Sequence, residues 1–258
     1  MLAAVRTPSH AQTQQRERAR GGPLSRWRGA LPYLACLCPL AACAGTNTPR
    51  DYDPPIPGLV AENQAAGDPY GGRFPYAEAI AGLPGEGPLL AQIETDAGVI
   101  RCRLEPETAA LTVANFVGLA RGLRPFQEEE DGPWITAPFY DGLPWHRAIE
   151  GQFVQTGRRG SRENPGFDLQ DEISPGSKFD RAGVMALANN GSPHSGAAQF
   201  FITSNELTHL NGAYAIFGRC EDHHVIRELE RRARDKNTPA PTIQTVTIHR
   251  DGARSGPG

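Results

Sequence analysis

Residues 140–157 read YDGLPWHRAIEGQFVQTG, and no other segment of the chain carries as much information about its fold. Two short strands are predicted in it, at 145–149 and 153–156, separated by a glycine-containing turn. Three segments downstream also contain short apolar runs typical of strands: GVMALAN at 183–189, QFFIT at 199–203 and LNGAYAIFG at 210–218. Short strands between glycine-rich turns are typical of antiparallel sheets.

The chain from residue 89 onward continues this pattern. Apolar and polar residues alternate on both sides of Asp96-Ala97-Gly98, which predicts a hairpin with one buried face. Two helices are predicted, one ending at Gly122 after an apolar stripe and one over residues 223–234. Further short strands are predicted at 184–187, 200–203, 215–217 and 245–249. Together these elements predict a mainly β fold, a closed eight-stranded antiparallel barrel capped by two α-helices.

The composition agrees with a domain rich in turns. The 258 residues include 29 Gly and 23 Pro, which argues against a helical bundle. A net charge of −3 leaves no basic excess to neutralise phosphates, so we expect no nucleic-acid partner. No apolar run reaches the roughly 18 residues that a membrane-spanning helix needs. The adjacent His223 and His224 would diverge on a helix, so we predict no metal site there.

The N-terminus has the features of an export signal. Arginines between residues 16 and 28 precede a short apolar run at 30–40. This run leads into Leu40-Ala41-Ala42-Cys43, which resembles the lipobox of bacterial lipoproteins, whose cysteine is acylated and becomes the first mature residue. We therefore expect a lipid on Cys43 to anchor the chain in the cell envelope, facing the periplasm, with Ala44 favouring the outer membrane. The alternative is an ordinary cleaved signal in which Cys43 has no role.

These features divide the chain into four parts. We predict a signal peptide at 1–42, a Pro- and Gly-rich tether at 43–88, a globular domain at 89–250 and a flexible tail at 251–258. A short helix is expected within the tether, around 76–81. The acidic insert at 124–138 is interpreted as a solvated loop.

Two cysteines, Cys102 and Cys220, lie in the globular domain. An exported protein could join them in a disulfide. Two buried free thiols are an equal alternative, because the sequence does not reveal how far apart the cysteines lie in space.

The segments at 140–157, 183–189, 199–203 and 210–218 resemble the cyclophilin family of peptidyl-prolyl cis-trans isomerases, and the resemblance extends over about residues 89–250. The resemblance implies a barrel fold and catalysis of rotation about Xaa-Pro bonds. It implies no cofactor, because that rotation breaks no covalent bond.

The resemblance also implies a role for each matched residue. Arg147 would hydrogen-bond the nitrogen of the twisted peptide bond, and Gln155 would orient this arginine and contact the substrate backbone. The substrate-binding residues would be Phe153, Ala188, Asn189, Gln199, Phe201, His209, Leu210 and Tyr214. The expected partners are proline-containing polypeptides, and we expect a monomer.

Three positions depart from the family pattern. Gln152 stands where an aromatic residue of the pocket wall is usual, and Phe153 takes the next position. His209 stands where members that bind cyclosporin tightly have tryptophan, so we expect weak inhibition by that drug. Gln199 follows Asn189 at one residue more than the commonest spacing.

Three functions are compatible with these residues. The leading hypothesis is an exported, lipid-anchored prolyl isomerase that assists the folding of envelope proteins. The second is a cyclophilin-like module or chaperone that binds proline-containing segments without accelerating rotation, which the polar Gln152 favours. The third is a passive envelope lipoprotein, which predicts no affinity for proline peptides.

Overall fold

An eight-stranded antiparallel sheet is the centre of the fold in the computed structural model, which describes residues 52–252. The strands are β1 (Leu89–Thr95), β2 (Gly98–Leu104), β3 (Arg147–Ile149), β4 (Phe153–Thr156), β5 (Val184–Leu187), β6 (Phe200–Thr203), β7 (Ile216–Cys220) and β8 (Ile243–Arg250). Their order across the sheet is β3-β4-β6-β5-β7-β2-β1-β8. The predicted antiparallel architecture of eight strands is confirmed.

The sheet curls so that its two edge strands come together. β3 and β8 share no ladder, and the two edges are joined by hydrogen bonds between residues 142–145, which precede β3, and the start of β8 with the residues before it. Gly142 donates a hydrogen bond to the carbonyl of Ile243 at 2.8 Å, and the Ile243 amide donates to the carbonyl of Leu143 at 2.9 Å. The Trp145 amide donates to the carbonyl of Pro241 at 2.8 Å. The fully buried Trp145 side chain lies in the core that this curl encloses.

Helices pack on the sheet and on one another. Those in the described residues are α1 (Pro57–Ala65), α2 (Tyr76–Ile80), α3 (Ala110–Ala120) and α4 (His223–Arg234), with a 3₁₀ helix at Thr208–Leu210. The two predicted helices are α3 and α4, and α4 buries its apolar face through Ile226 and Leu229 as expected. α3 differs from the prediction, because all of its residues are buried rather than one stripe. Within residues 52–252, no helix combines the length and apolar character that crossing a membrane requires.

The prediction of a tether up to residue 88 is wrong for the part of it that the structure describes. Residues 52–88, which we call the N-terminal segment, pack on the domain, and Phe74 and Ala79 in it are buried in the main core. α2 lies against α3, so the segment covers the side of α3 that would otherwise face solvent. The short helix expected near 76–81 is present as α2. The signal peptide, Cys43 and residues 253–258 lie outside the described residues.

A buried ion pair joins the N-terminal segment to the insert at 124–138. Both side chains of the Arg124–Asp68 pair are fully buried, and two hydrogen bonds of 2.9 Å connect them. The guanidinium carbon of Arg124 also lies 3.8 Å from the ring centroid of Phe167. The interpretation of the insert as a solvated loop is therefore wrong at Arg124, because its partner lies 56 residues away in the sequence.

Cys102 on β2 and Cys220 on β7 form a disulfide. The two residues are directly opposed in the β2–β7 ladder, and both are buried. Of the two alternatives that the sequence left open, the structure contains the bonded pair.

Candidate active site

The β3–β4 hairpin places Arg147 and Gln155 side by side. The two residues are partners in the ladder, and Arg147 Nη1 donates a hydrogen bond to Gln155 Oε1 at 3.0 Å. The turn between the strands needs a glycine, because Gly151 has a φ of 66°. β3 is an edge strand, so the Arg147 side chain remains exposed while Gln155 is buried beneath it.

Two glutamine side chains extend this contact across the site. Gln155 Nε2 donates to Gln199 Oε1 at 3.0 Å, and Gln199 Nε2 donates to the backbone carbonyl of Glu163 at 2.7 Å. A guanidinium has donors only, so the amide oxygen of Gln155 faces Arg147 and its NH₂ group points onward. All three hydrogen bonds therefore run in one direction. We call the series Arg147–Gln155–Gln199–Glu163 the amide relay.

An apolar cavity of about 220 Å³ lies beside Arg147. Phe201 on β6 forms its floor, with its ring centroid 5.1 Å from the centroids of both Phe153 and Tyr214. The cavity is lined by Arg147, Ile149, Gln152, Phe153, Gln155, Ala188, Asn189, Phe201, Leu210 and Tyr214. Its aromatic floor and partly polar rim suit a small apolar ring carried on a polar backbone.

The charge of Arg147 lies at the rim of this cavity. Its guanidinium carbon is 5.2 Å from the ring centroid of Phe153, within the range of a cation–π interaction. Between the ring on one side and Gln155 on the other, the guanidinium has N–H donors left for a bound group. The arrangement can hold an apolar ring and present a positive hydrogen-bond donor to atoms beside it.

A second, polar cavity of about 420 Å³ adjoins the first. Arg147, Gln155, Ala188 and Asn189 line both cavities, so the two form one groove. In the polar cavity, Arg158 pairs with Glu163 at 3.0 Å on the solvent side.

The surroundings shift the pKa of two titratable groups in the polar cavity. Burial raises the pKa of Asp168, and a hydrogen bond from Asn164 partly opposes this. Partial desolvation lowers the pKa of His146, so its neutral form is favoured beside Arg147.

The structure brings most of the predicted site residues together. Eight of them line the apolar cavity: Arg147, Phe153, Gln155, Ala188, Asn189, Phe201, Leu210 and Tyr214. Gln199 lies in the polar cavity and is the third member of the amide relay. His209 is exposed on the 3₁₀ helix and lines neither cavity, so the structure does not bring it to the site.

Three of the site residues that sequence reasoning missed make contacts that shape the site. Ile149 lines the apolar cavity at the end of β3. Phe179 lies in a loop without a recognisable motif, and its ring stacks on Phe201 with centroids 5.8 Å apart. Glu163 ends the amide relay through a backbone carbonyl, a contact that no side-chain pattern could reveal.

Comparisons with known proteins agree with this geometry. The family model of the cyclophilin type peptidyl-prolyl cis-trans isomerase/CLD matches residues 90–251. The chain is 36% identical over 166 residues to peptidyl-prolyl cis-trans isomerase A of Mycobacterium tuberculosis, which covers 61% of this chain and 91% of that protein. It is also 36% identical over 156 residues to peptidyl-prolyl cis-trans isomerase B of Streptomyces anulatus, covering 60% and 86%.

A solved structure shares the fold. It is a cyclophilin type peptidyl-prolyl cis-trans isomerase of Cryptosporidium parvum, crystallised in the presence of the dipeptide Ala-Pro. Its TM-score is 0.51 at 27% sequence identity, and the match covers 62% of this chain and 98% of that chain.

Proposed function

The chain belongs to the family of cyclophilin-type peptidyl-prolyl cis-trans isomerases, and we propose that it accelerates rotation about Xaa-Pro bonds of polypeptides that fold in a bacterial cell envelope. The observation that carries this proposal is the position of Arg147 at the rim of an apolar cavity floored by Phe201. The proline ring would occupy the cavity, and the peptide bond before it would lie next to the guanidinium.

The chemistry follows from the electronic structure of the amide. Rotation is slow because conjugation of the C–N bond opposes it with a barrier of roughly 20 kcal/mol. In the twisted state the nitrogen regains a lone pair that can accept a hydrogen bond. A donor at this point binds the twisted state better than either planar state, which lowers the barrier. Arg147 has that role, and the amide relay holds it in place.

Replacing Arg147 by alanine tests the proposal. We expect kcat/KM on an Xaa-Pro peptide to fall about 100-fold, the typical effect of losing one donor that stabilises a transition state. NMR exchange or a protease-coupled assay measures the rate. Arg103→Ala is the matched control, because Arg103 is an exposed arginine on β2 that lines neither cavity. An unchanged kcat/KM in a folded Arg147→Ala variant would contradict the proposal.

A second candidate function is a proline-peptide-binding module or chaperone without catalysis. The polar Gln152 in the wall of the apolar cavity favours it, because this side chain reduces the apolar surface available to proline. Such a module would bind an Xaa-Pro peptide in a titration and would leave its isomerisation rate at the uncatalysed value. The two functions are therefore distinguished by measuring affinity and rate on the same peptide.

The envelope setting is proposed from the N-terminal sequence. A lipid on Cys43 would anchor the chain, and Tyr52, the first described residue, follows it by nine positions. Nine residues span at most about 30 Å, so the domain would lie close to the membrane surface. The export and the outer-membrane position expected above belong to the same proposal.

Mass spectrometry of the N-terminal peptide of the protein purified from membranes tests the anchor. We expect a diacylglyceryl-modified Cys43 as the first residue, and Cys43→Ser should release the protein from the membrane fraction. An unmodified Cys43, or cleavage at another position, would contradict it. The catalytic proposal does not depend on this result.

A further inference from the structure

We propose that Asn63, on α1 of the N-terminal segment, is a positioning residue for the catalytic arginine: it fixes the loop at 163–168, which ends the amide relay. This inference rests on the proposed isomerase function. The residue lies outside the part of the chain that the family model matches, residues 90–251. The N-terminal segment would then help to position Arg147 through this one side chain.

The Asn63 side chain makes two hydrogen bonds to the backbone of Asp168, and we call this pair of bonds the clamp. Asn63 Nδ2 donates to the backbone carbonyl of Asp168 at 2.9 Å, and Asn63 Oδ1 accepts from the Asp168 amide at 2.9 Å. Both backbone polar groups of Asp168 are thus satisfied by one side chain that is only 4% exposed. Gly72 lies against the clamp with a φ of 80°, and a Cβ at this position would meet the Asp168 carbonyl at 2.6 Å. The clamp is therefore enclosed.

Internal hydrogen bonds restrain the loop between Glu163 and Asp168. Asn164 Nδ2 donates to Asp168 Oδ1 at 3.0 Å, which closes the loop on itself. The carbonyl of Pro165 accepts a hydrogen bond from the Gln127 amide at 2.9 Å, so the middle of the loop is attached to the domain as well. A displacement at Asp168 would reach Glu163 through the bonded Asn164 side chain, and the attachment of Pro165 limits its size.

The amide relay connects this loop to Arg147. Glu163 accepts from Gln199 Nε2 through its backbone carbonyl at 2.7 Å and through its side-chain Oε2 at 3.3 Å, and this residue helps to set the orientation of the Gln199 amide. With that acceptor displaced, Gln199 could rotate its oxygen away from Gln155. Gln155 would then lose the partner that keeps its own oxygen facing Arg147. Each bond of the series depends on the one before it.

The clamp can be removed without detaching the N-terminal segment. The segment is held independently by the buried Asp68–Arg124 pair and by Phe74 in the core. Loss of the Asn63 amide should therefore change the loop at 163–168 more than it changes the packing of the segment.

A double-mutant cycle in the full-length protein tests the inference. We expect Asn63→Ala to lower kcat about five- to tenfold with KM changed less than about twofold, a loss comparable to that of one oriented hydrogen bond. Gln199→Ala should lower kcat at least as much, and the double variant should be no slower than Gln199→Ala alone. Gln64→Ala, an exposed change on the next residue of α1, is the control and should have the activity of the unmodified protein.

Other outcomes overturn the inference. A merely structural role of Asn63 would make the two kcat effects multiply in the double variant. An unchanged kcat in folded Asn63→Ala, or in Gln199→Ala, would show that the relay does not act on Arg147. If Asn63→Ala does not fold, Asn63→Asp replaces it: its carboxylate still accepts the Asp168 amide but cannot donate to the carbonyl. A lowered kcat in that variant supports the inference, and an unchanged kcat overturns it.

The cycle also separates this inference from the proposed function. If the unmodified protein does not accelerate isomerisation, the proposed function fails. If it does so in an Arg147-dependent manner while the Asn63 variants have unchanged kcat, only the inference fails.

Discussion

At the scale of single residues, the wall of the apolar cavity contains a polar side chain, Gln152. Gln152 lines it half-buried where the family pattern has an aromatic residue, and the aromatic ring of the neighbouring Phe153 packs instead against Phe201. The same ring supports the guanidinium of Arg147 at 5.2 Å. The shift by one position thus keeps an aromatic ring beside the Arg147 guanidinium while it leaves a polar group in the wall.

Replacing Gln152 by leucine, which has a similar size, should lower KM for an Xaa-Pro peptide about threefold with kcat unchanged. The added apolar contact would stabilise the bound planar and twisted states alike. Steady-state kinetics on one peptide measures both constants. Gln244→Leu, at an exposed position of β8, is the control for the general effect of the substitution. A raised KM would indicate that Gln152 hydrogen-bonds the substrate backbone.

At the scale of elements, the contact between the N-terminal segment and α3 depends on a glycine. A Cβ on Gly118 in α3 would lie 2.5 Å from the ring of Phe74, closer than atoms of a packed core can approach. A glycine inside a helix usually costs stability. Here it allows the segment to lie close against the helix.

We therefore expect Gly118→Ala to lower the free energy of unfolding by about 1–3 kcal/mol, because Phe74 must move out of its position. Gly58→Ala in α1 should instead raise it by about 0.5 kcal/mol, since a Cβ there meets no atom within 4 Å. Urea denaturation followed by circular dichroism measures both changes. A stabilised Gly118→Ala variant would mean that the segment is a loose tether after all.

At the scale of the whole molecule, the disulfide between Cys102 and Cys220 joins strands that are 118 residues apart in sequence. The closed loop contains β3 to β6 and therefore both cavities. A cross-link over so long a loop restricts the unfolded chain strongly, because it removes a large part of its conformational entropy.

Replacing both cysteines, in Cys102→Ser/Cys220→Ser, should lower the free energy of unfolding by about 4–5 kcal/mol, the loss expected from chain entropy for a loop of this length. Denaturation curves with and without the substitutions give the difference. Adding a reductant should destabilise the unmodified protein and leave the double variant unchanged. Detection of two free thiols at these positions in the unreduced, unfolded protein would rule out the disulfide.

Local patterns in the chain were sufficient for the strands from Leu89 onward and for α3 and α4, whereas most residues of the groove were identified from the resemblance of their motifs to cyclophilins. Alternation and glycine-bounded apolar runs are patterns over a few neighbouring residues, so they can be read from the sequence without knowledge of the tertiary contacts. Arg147 and Gln155 were identified from the resemblance to cyclophilins, and the hairpin that pairs them was predicted because its two strands are close in sequence.

The remaining features depend on contacts between distant residues, and no local pattern records those. Asn63 hydrogen-bonds Asp168, which lies 105 residues further along the chain, and Asp68 pairs with Arg124, 56 residues further along. These contacts make a segment with the composition of a linker part of the domain. Tertiary contacts also decide that the two cysteines pair, that the amide relay ends at Glu163, and that His209 lines neither cavity. Such contacts depend on how the sheet curls and on which loops it brings together. Burial of apolar surface is favourable for any residues that the folded chain brings into contact, however far apart they lie in the sequence.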